Sequence, residues 1–164
     1  MFIAPAYSFS RPANTTQYAQ NELVANNATA GLVVPMRFGV EAVNGKGRVN
    51  AVRFFTDNQN VVTATFNLHL FTRDPGVPSN GDNGAFGVAA SEHFLGTVAC
   101  DLATGAFVTA TDKHKRFAIT GGLGFQCPMG DGGMALYGLI ETATGATYTP
   151  ASEEVFKATL EIEG

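Results

Sequence analysis

The stretch 66–87, FNLHLFTRDPGVPSNGDNGAFG, holds side chains that could take a cation: Asp74, Asp82 and Asn83. A calcium loop of the EF-hand kind needs oxygen ligands at strict spacing and a bidentate Glu. No Glu falls in 74–87, and Pro75 and Pro78 stiffen the chain between two Asp residues eight apart. An irregular cation site stays open on these residues. The competing reading is a turn-rich connection. Gly76, Gly81 and Gly84 allow positive φ, and Asn80, Asp82 and Asn83 can bond the local backbone in Asx turns. Fourteen residues, 74–87, is long for a sandwich connection, and long loops often carry contacts. Phe86 gives this one an apolar anchor.

The other reactive types are scattered. His69, between Leu68 and Leu70, could be a base, a ligand or a surface or interface histidine. No Ser sits in G-x-S-x-G, and GGLG at 121–124 makes no dinucleotide fingerprint. The carboxylate pairs Glu153-Glu154 and Glu161/Glu163 fall at the start and end of a predicted final strand, not in a cleft suited to acid/base work. Cys100 and Cys127 lie in no CxxC and have no zinc-like spacing to His. Free buried thiols are the expectation for a chain made in a reducing cytoplasm. These residues assemble no reaction, so a protein that is not an enzyme, with no cofactor and no metal, is expected.

The elements that must position these residues are strands. In 35–42, Met36, Phe38, Val40 and Ala42 alternate with Arg37, Gly39 and Glu41. In 61–71, Val62, Ala64, Phe66, Leu68 and Leu70 alternate with Thr63, Thr65, Asn67 and His69. In 154–162, Phe156, Ala158, Leu160 and Ile162 alternate with Val155, Lys157, Thr159 and Glu161. Period two predicts half-buried antiparallel strands. Less regular runs at 47–56, 94–101, 115–120 and 134–141 extend the set, and Phe54-Phe55 suggests a bulge in the first of them. Turn signals separate the runs: Asn44-Gly45, Asp57-Asn58, Asn80-Gly81, Thr104-Gly105, Gly121-Gly122, 130–133 and Thr144-Gly145. No helical stripe is convincing; the best, 17–25, is short. The expectation is an all-β, antiparallel β-sandwich, a jelly roll, over 31–164. Residues 1–30 carry only two charges, Arg11 and Glu22, with unperiodic aromatics, and read as an extended N-terminal arm lying on a surface of this chain or a neighbour.

Composition points to assembly. Only 15% of the 164 residues are charged, against roughly 25% in typical soluble domains. A surface built from Thr, Asn, Ser and Gly is cheaper to desolvate than a charged one. The net charge of −4, with KHKR at 113–116 the sole basic cluster, predicts no nucleic-acid partner. No run approaches the roughly 18 apolar residues of a membrane span, so no membrane partner is expected. The N-terminus lacks the basic and apolar regions of a signal peptide. The absence of Trp removes the commonest platform for sugar rings.

Three stretches then carry a resemblance: SFSRPANTTQYAQNELVAN at 8–26, FNLHLFTRDPGVPSNGDNGAF at 66–86 and LYGLIETATGATYTPASEEVFKATLEI at 136–162. Together they resemble small structural proteins of tailed bacteriophages. In that group an S-R-P-x-x-T-x-x-Y segment precedes a β-sandwich. A Leu-His-Leu-like strand end leads into a Pro-Asn-Gly-Asp-Asn loop, and a Y-x-P-x-S-x-E-x-F strand closes the chain. Residues 88–130 match least. The resemblance implies a virion component of the head-decoration or cement type, made in the host cytoplasm and seated on the capsid surface. Its implied partners are the major capsid protein and its own copies, as a homotrimer. The expected interface comprises Tyr7, Phe9, Arg11, Tyr18, Leu23 and Val24 of the arm. Asp82, Asn83 and Phe86 of the loop join them. The competing class is a receptor- or glycan-binding tip domain of a phage tail or fibre.

Overall fold

The computed structural model describes residues 1–40, 45–58, 64–89, 91–127, 134–143, 145 and 147–164. Strands β1 (Phe2–Ile3), β2 (Tyr7–Ser10), β5 (Lys46–Thr56), β8 (Phe107–Val108), β9 (Lys113–Gln126) and β11 (Val155–Glu163) form one sheet. Its order is β1-β11-β5-β9-β8, with β2 also on β11. Strands β3 (Leu23–Val24), β4 (Met36–Gly39), β6 (Thr65–Phe71), β7 (Phe94–Asp101) and β10 (Ala135–Thr142) form the other, ordered β3-β10-β6-β7 with β4 also on β10. Every pairing is antiparallel. The fold is therefore an all-β sandwich. Taking β2, β11, β5, β9 against β4, β10, β6, β7, the strand order is the one a jelly-roll wind requires. The short helical turns Ala30–Leu32 and Ser91–His93 are both 3-10.

The period-two readings place the core. Phe66, Leu68 and Leu70 of β6 and Phe156, Ala158, Leu160 and Ile162 of β11 are buried between the sheets. Phe54, Phe66 and Phe156 meet across the gap, with ring centroids 5.3 to 6.1 Å apart. Strand β10 alternates poorly because both of its faces are covered. Leu136 and Ile140 enter the main core, while Leu139 packs outside with Leu23, Ala25, Val33 and Phe71, beneath Phe86.

Two local readings need correction. The irregularity in β5 is not at Phe54-Phe55, which alternate normally: Phe54 is buried and Phe55 half-buried. The register shifts at Asn50, between Val49 and Ala51. Opposite it, Gly121 and Gly122 do not turn the chain. They sit inside β9 at φ 77° and 64° and let one long strand jump register. A Cβ on Gly122 would come within 2.4 Å of the Arg48 side chain.

Residues 1–30 lie on the chain's own body. Strands β1 and β2 extend the sheet edge at β11, β3 pairs with β10, and Tyr18 bridges to Tyr148. The turn at Thr104-Gly105 forms, with Gly105 at φ 63° and the Asp101 carboxylate accepting from Ala103 N and Thr104 Oγ1. The predicted strand positions 41–42 and 61–63 and the turn positions 44, 130–133 and 144 fall outside the described residues.

Candidate functional site

The nine expected interface residues do not share one surface. Five are buried within the chain: Arg11, Tyr18, Leu23, Val24 and Asp82. These five therefore contact the chain's own body, and the reason is polar pairing as much as packing. Arg11 Nη2 donates to Asp82 Oδ2 at 2.9 Å and Arg11 Nε donates to the Tyr18 hydroxyl at 2.8 Å. Tyr18 donates onward to Asp82 Oδ1 at 2.5 Å, which also accepts from Ala25 N at 2.9 Å. Arg11 Nη1 donates to the carbonyl of Asn14 at 2.7 Å. Burial opposes the Arg11 charge, but Tyr18 and Asp82 outweigh it and hold its pKa above the ordinary value. Burial, then the Asp82 charge, pushes the Tyr18 phenol up, so it stays a donor. Asp82 is thus taken up by the arm and cannot also face a cation with Asp74, whose carboxylate accepts from Gly76 N at 2.9 Å. Among the described residues no cluster of three His, Cys, Asp or Glu is placed to hold a metal ion.

The other four of the nine are half-buried. Tyr7 meets Phe38 edge-on at 6.5 Å, and Phe9 stacks on Phe156 at 5.9 Å. Asn83, at φ 64°, donates to the Gln17 carbonyl at 3.2 Å. Phe86 stacks on His69 at 4.5 Å. The loop holds its shape by pairing with the arm: Asp82 N to Asn27 O at 2.8 Å, Leu23 N to Gly84 O at 2.8 Å and Phe86 N to Asn21 O at 2.9 Å. Gly81 permits this approach, since a Cβ there would lie 2.0 Å from the Ala28 carbonyl oxygen.

A second buried network was not evident from the sequence. Glu153 is exposed at φ 57° while Glu154 is buried, so the carboxylate pair separates. Glu154 accepts from the hydroxyls of Thr56 and Tyr148, from Asn58 Nδ2 at 3.2 Å and from Ala151 N at 3.0 Å. Burial raises its pKa against those donors. Burial, then the Glu154 charge, raises Tyr148 as well. Tyr148 stacks on Tyr18 at 6.0 Å and 11°. The two networks therefore abut through a pair of tyrosines. The only advance signal was Glu154 lying beside the apolar run of β11.

Two polar groups lie on outward sheet faces. On β6, β7 and β10, Glu141 Oε2 lies 2.6 Å from His69 Nε2, and His69 Nδ1 lies 2.8 Å from Thr97 Oγ1. Carboxylate, imidazole and hydroxyl stand in the order of a nucleophile relay. They are cross-strand neighbours on a sheet face, with the imidazole stacked on Phe86, so a structural ladder accounts for them. On β5, β9 and β11, Glu161 accepts from Arg53 Nε at 2.8 Å and from Arg116 Nη2 at 2.6 Å. Hydrogen bonds from Arg116, then Arg53, hold Glu161 down at about 2 despite its burial. Alternation places all three on outward positions, a signal the sequence contained. Cys100 and Cys127 are free and buried, and burial pushes both thiols up.

No protein-family model matches the chain, and no curated protein matches it. Among solved structures, one of infectious bursal disease virus, Gx strain, aligns with a TM-score of 0.24 at 13% identity. The alignment covers 98% of this chain and 36% of that one, so the chain spans little more than a third of that structure. A likeness this weak bears on neither fold nor function.

Proposed function

We propose that the protein is a non-enzymatic decoration, or cement, protein of a tailed-bacteriophage capsid, binding the outer shell and stabilising contacts between major capsid subunits. One observation carries this reading. The residues of the three resemblance motifs, far apart in sequence, meet in the fold. Arg11 and Tyr18 of S-R-P-x-x-T-x-x-Y bind Asp82 of the Asn-Gly-Asp-Asn loop. Tyr148 and Glu154 of the closing Y-x-P-x-S-x-E-x-F segment bond each other, and Tyr148 stacks on Tyr18. The motifs are thus one structural lock, which supports common ancestry of fold and setting with that group rather than a shared reaction.

On this reading the protein acts in the virion, as a jelly roll delivering contacts in symmetric copies. A homotrimer fits a three-fold position on a shell. The buried members of the expected interface hold shape. The contact itself falls to the half-buried Tyr7, Phe9, Asn83 and Phe86 and to exposed apolar residues such as Leu32 and Phe107. The test adds purified protein to shells of the encoding phage that were assembled without it. Saturable, stoichiometric binding with a raised disruption temperature is expected. Binding to host cells but not shells would instead favour the tail- or fibre-tip reading.

A further inference from the structure

We infer that the outward face of the six-stranded sheet carries a docking groove for an extended, acidic polypeptide segment of a partner protein. The groove has a volume of about 770 Å³ and runs past β5, β9 and β11 to a wall at Ile3, Pro5 and Ala6. Its lining includes the cations Arg53, Arg116 and Lys157, with His114 beside them, and Lys115, whose Nζ is turned to the carbonyls of Asp101 and Thr104. The buried Glu161 neutralises one charge, so the groove keeps a positive excess in a chain of net charge −4.

The arginines are held ready. Glu161 is 2% exposed and grips both guanidinium groups, yet the Arg53 and Arg116 side chains remain 55% and 51% exposed. A carboxylate floor that fixes two guanidinium groups lowers the ordering cost of meeting a third carboxylate. Phe55 lies within the same groove, with Lys157 Nζ 5.9 Å from its ring centroid. Phe107 stands over His114 at 4.9 Å, at the groove's β8 side.

Charge and apolar surface together select the occupant. Arg53 and Arg116 face each other on neighbouring strands and Lys157 lies diagonal to Arg53, an array that carboxylates on alternate residues of an extended peptide, roughly 7 Å apart, can span. Ile3, Pro5 and Phe55 offer apolar contact between them. A nucleic acid would meet the same cations without using the apolar wall, and a single-stranded oligonucleotide is therefore the comparison in the test. This extends the capsid reading by naming the partner's chemistry, and its test requires no capsid.

The test uses the full chain, a fluorescent oligo-glutamate peptide with interspersed Leu, and binding measured by anisotropy at low and at physiological salt. Binding is expected, weakened by salt and lowered about fivefold or more by Lys157→Glu. The exposed loop variant Arg73→Glu should bind like wild type, and unchanged melting of Lys157→Glu should exclude misfolding. Absence of peptide binding overturns the inference. So does equal loss in Arg73→Glu, or tighter binding of a single-stranded oligonucleotide of the same charge. Concentration-dependent dimerisation abolished by Lys157→Glu, with no peptide binding, would reassign the groove to a second copy and overturn it too. Failure of shell binding with peptide binding intact would count against the capsid reading alone.

Discussion

Glu161 is a charged residue on an outward strand position that is nevertheless buried, because Arg53 and Arg116 close over it. Its pKa is lowered from 4.5 to about 2. A depressed carboxylate contributes stability above its unfolded pKa, and that contribution is lost as pH falls through the folded value. Unfolding midpoints should therefore drop as pH falls from about 4.5 towards 2. Glu161→Gln should flatten that dependence and cost roughly 1–2 kcal/mol at neutral pH, as read by urea denaturation. Glu154 has the opposite sign. Burial raises its pKa, so its contribution is full below the ordinary carboxylate range and is lost as pH rises through the raised value. Arg11 and Asp82 form a buried ion pair with fully covered side chains. Arg11→Met would strand the Asp82 charge, and a loss of roughly 3–5 kcal/mol is expected in thermal or urea unfolding. A loss below about 1 kcal/mol would mean that the pair is not the lock described here.

The arm is an element of the sandwich. Strands β1, β2 and β3 pair with β11 and β10, and Tyr18 lies in the core. Deleting residues 1–25 should therefore abolish cooperative unfolding, and Gly81→Ala, which drives a Cβ onto the Ala28 carbonyl, should lower the melting temperature without truncation. A truncated chain that still melts sharply would contradict the first expectation. The longer elements were legible because period two survives where one face is buried, as in β6 and β11. Strands of two to four residues, β1 to β4, hide from that test, although 35–42 showed enough alternation to place β4. The rest are held by partners more than a hundred residues later in the chain. The Asn50 bulge was misplaced for the same reason: the register shifts that reveal it are against β11 on one side and the Gly121-Gly122 kink of β9 on the other. The site was half legible. Arg11, Tyr18 and Asp82 stood out by type, but Arg11 and Asp82 are 71 residues apart and only the fold shows that they bind each other.

At the scale of the whole molecule, the two sheets and the arm form one sandwich, and only 15% of the residues are charged. Its exposed apolar residues include Phe107 at 64% and Leu32 at 61%. Such surfaces suit repeated neutral contacts on a symmetric assembly better than a single solvated monomer. No helix among the described residues is long and apolar enough to cross a membrane. The most direct measurement of the proposed capsid role is quantitative binding of the purified protein to phage shells assembled without it, with copy number and thermal disruption read together. The account predicts saturation at a fixed number of copies per shell and a higher disruption temperature. Binding that never saturates, or saturating binding that leaves the shell's disruption temperature unchanged, would contradict it.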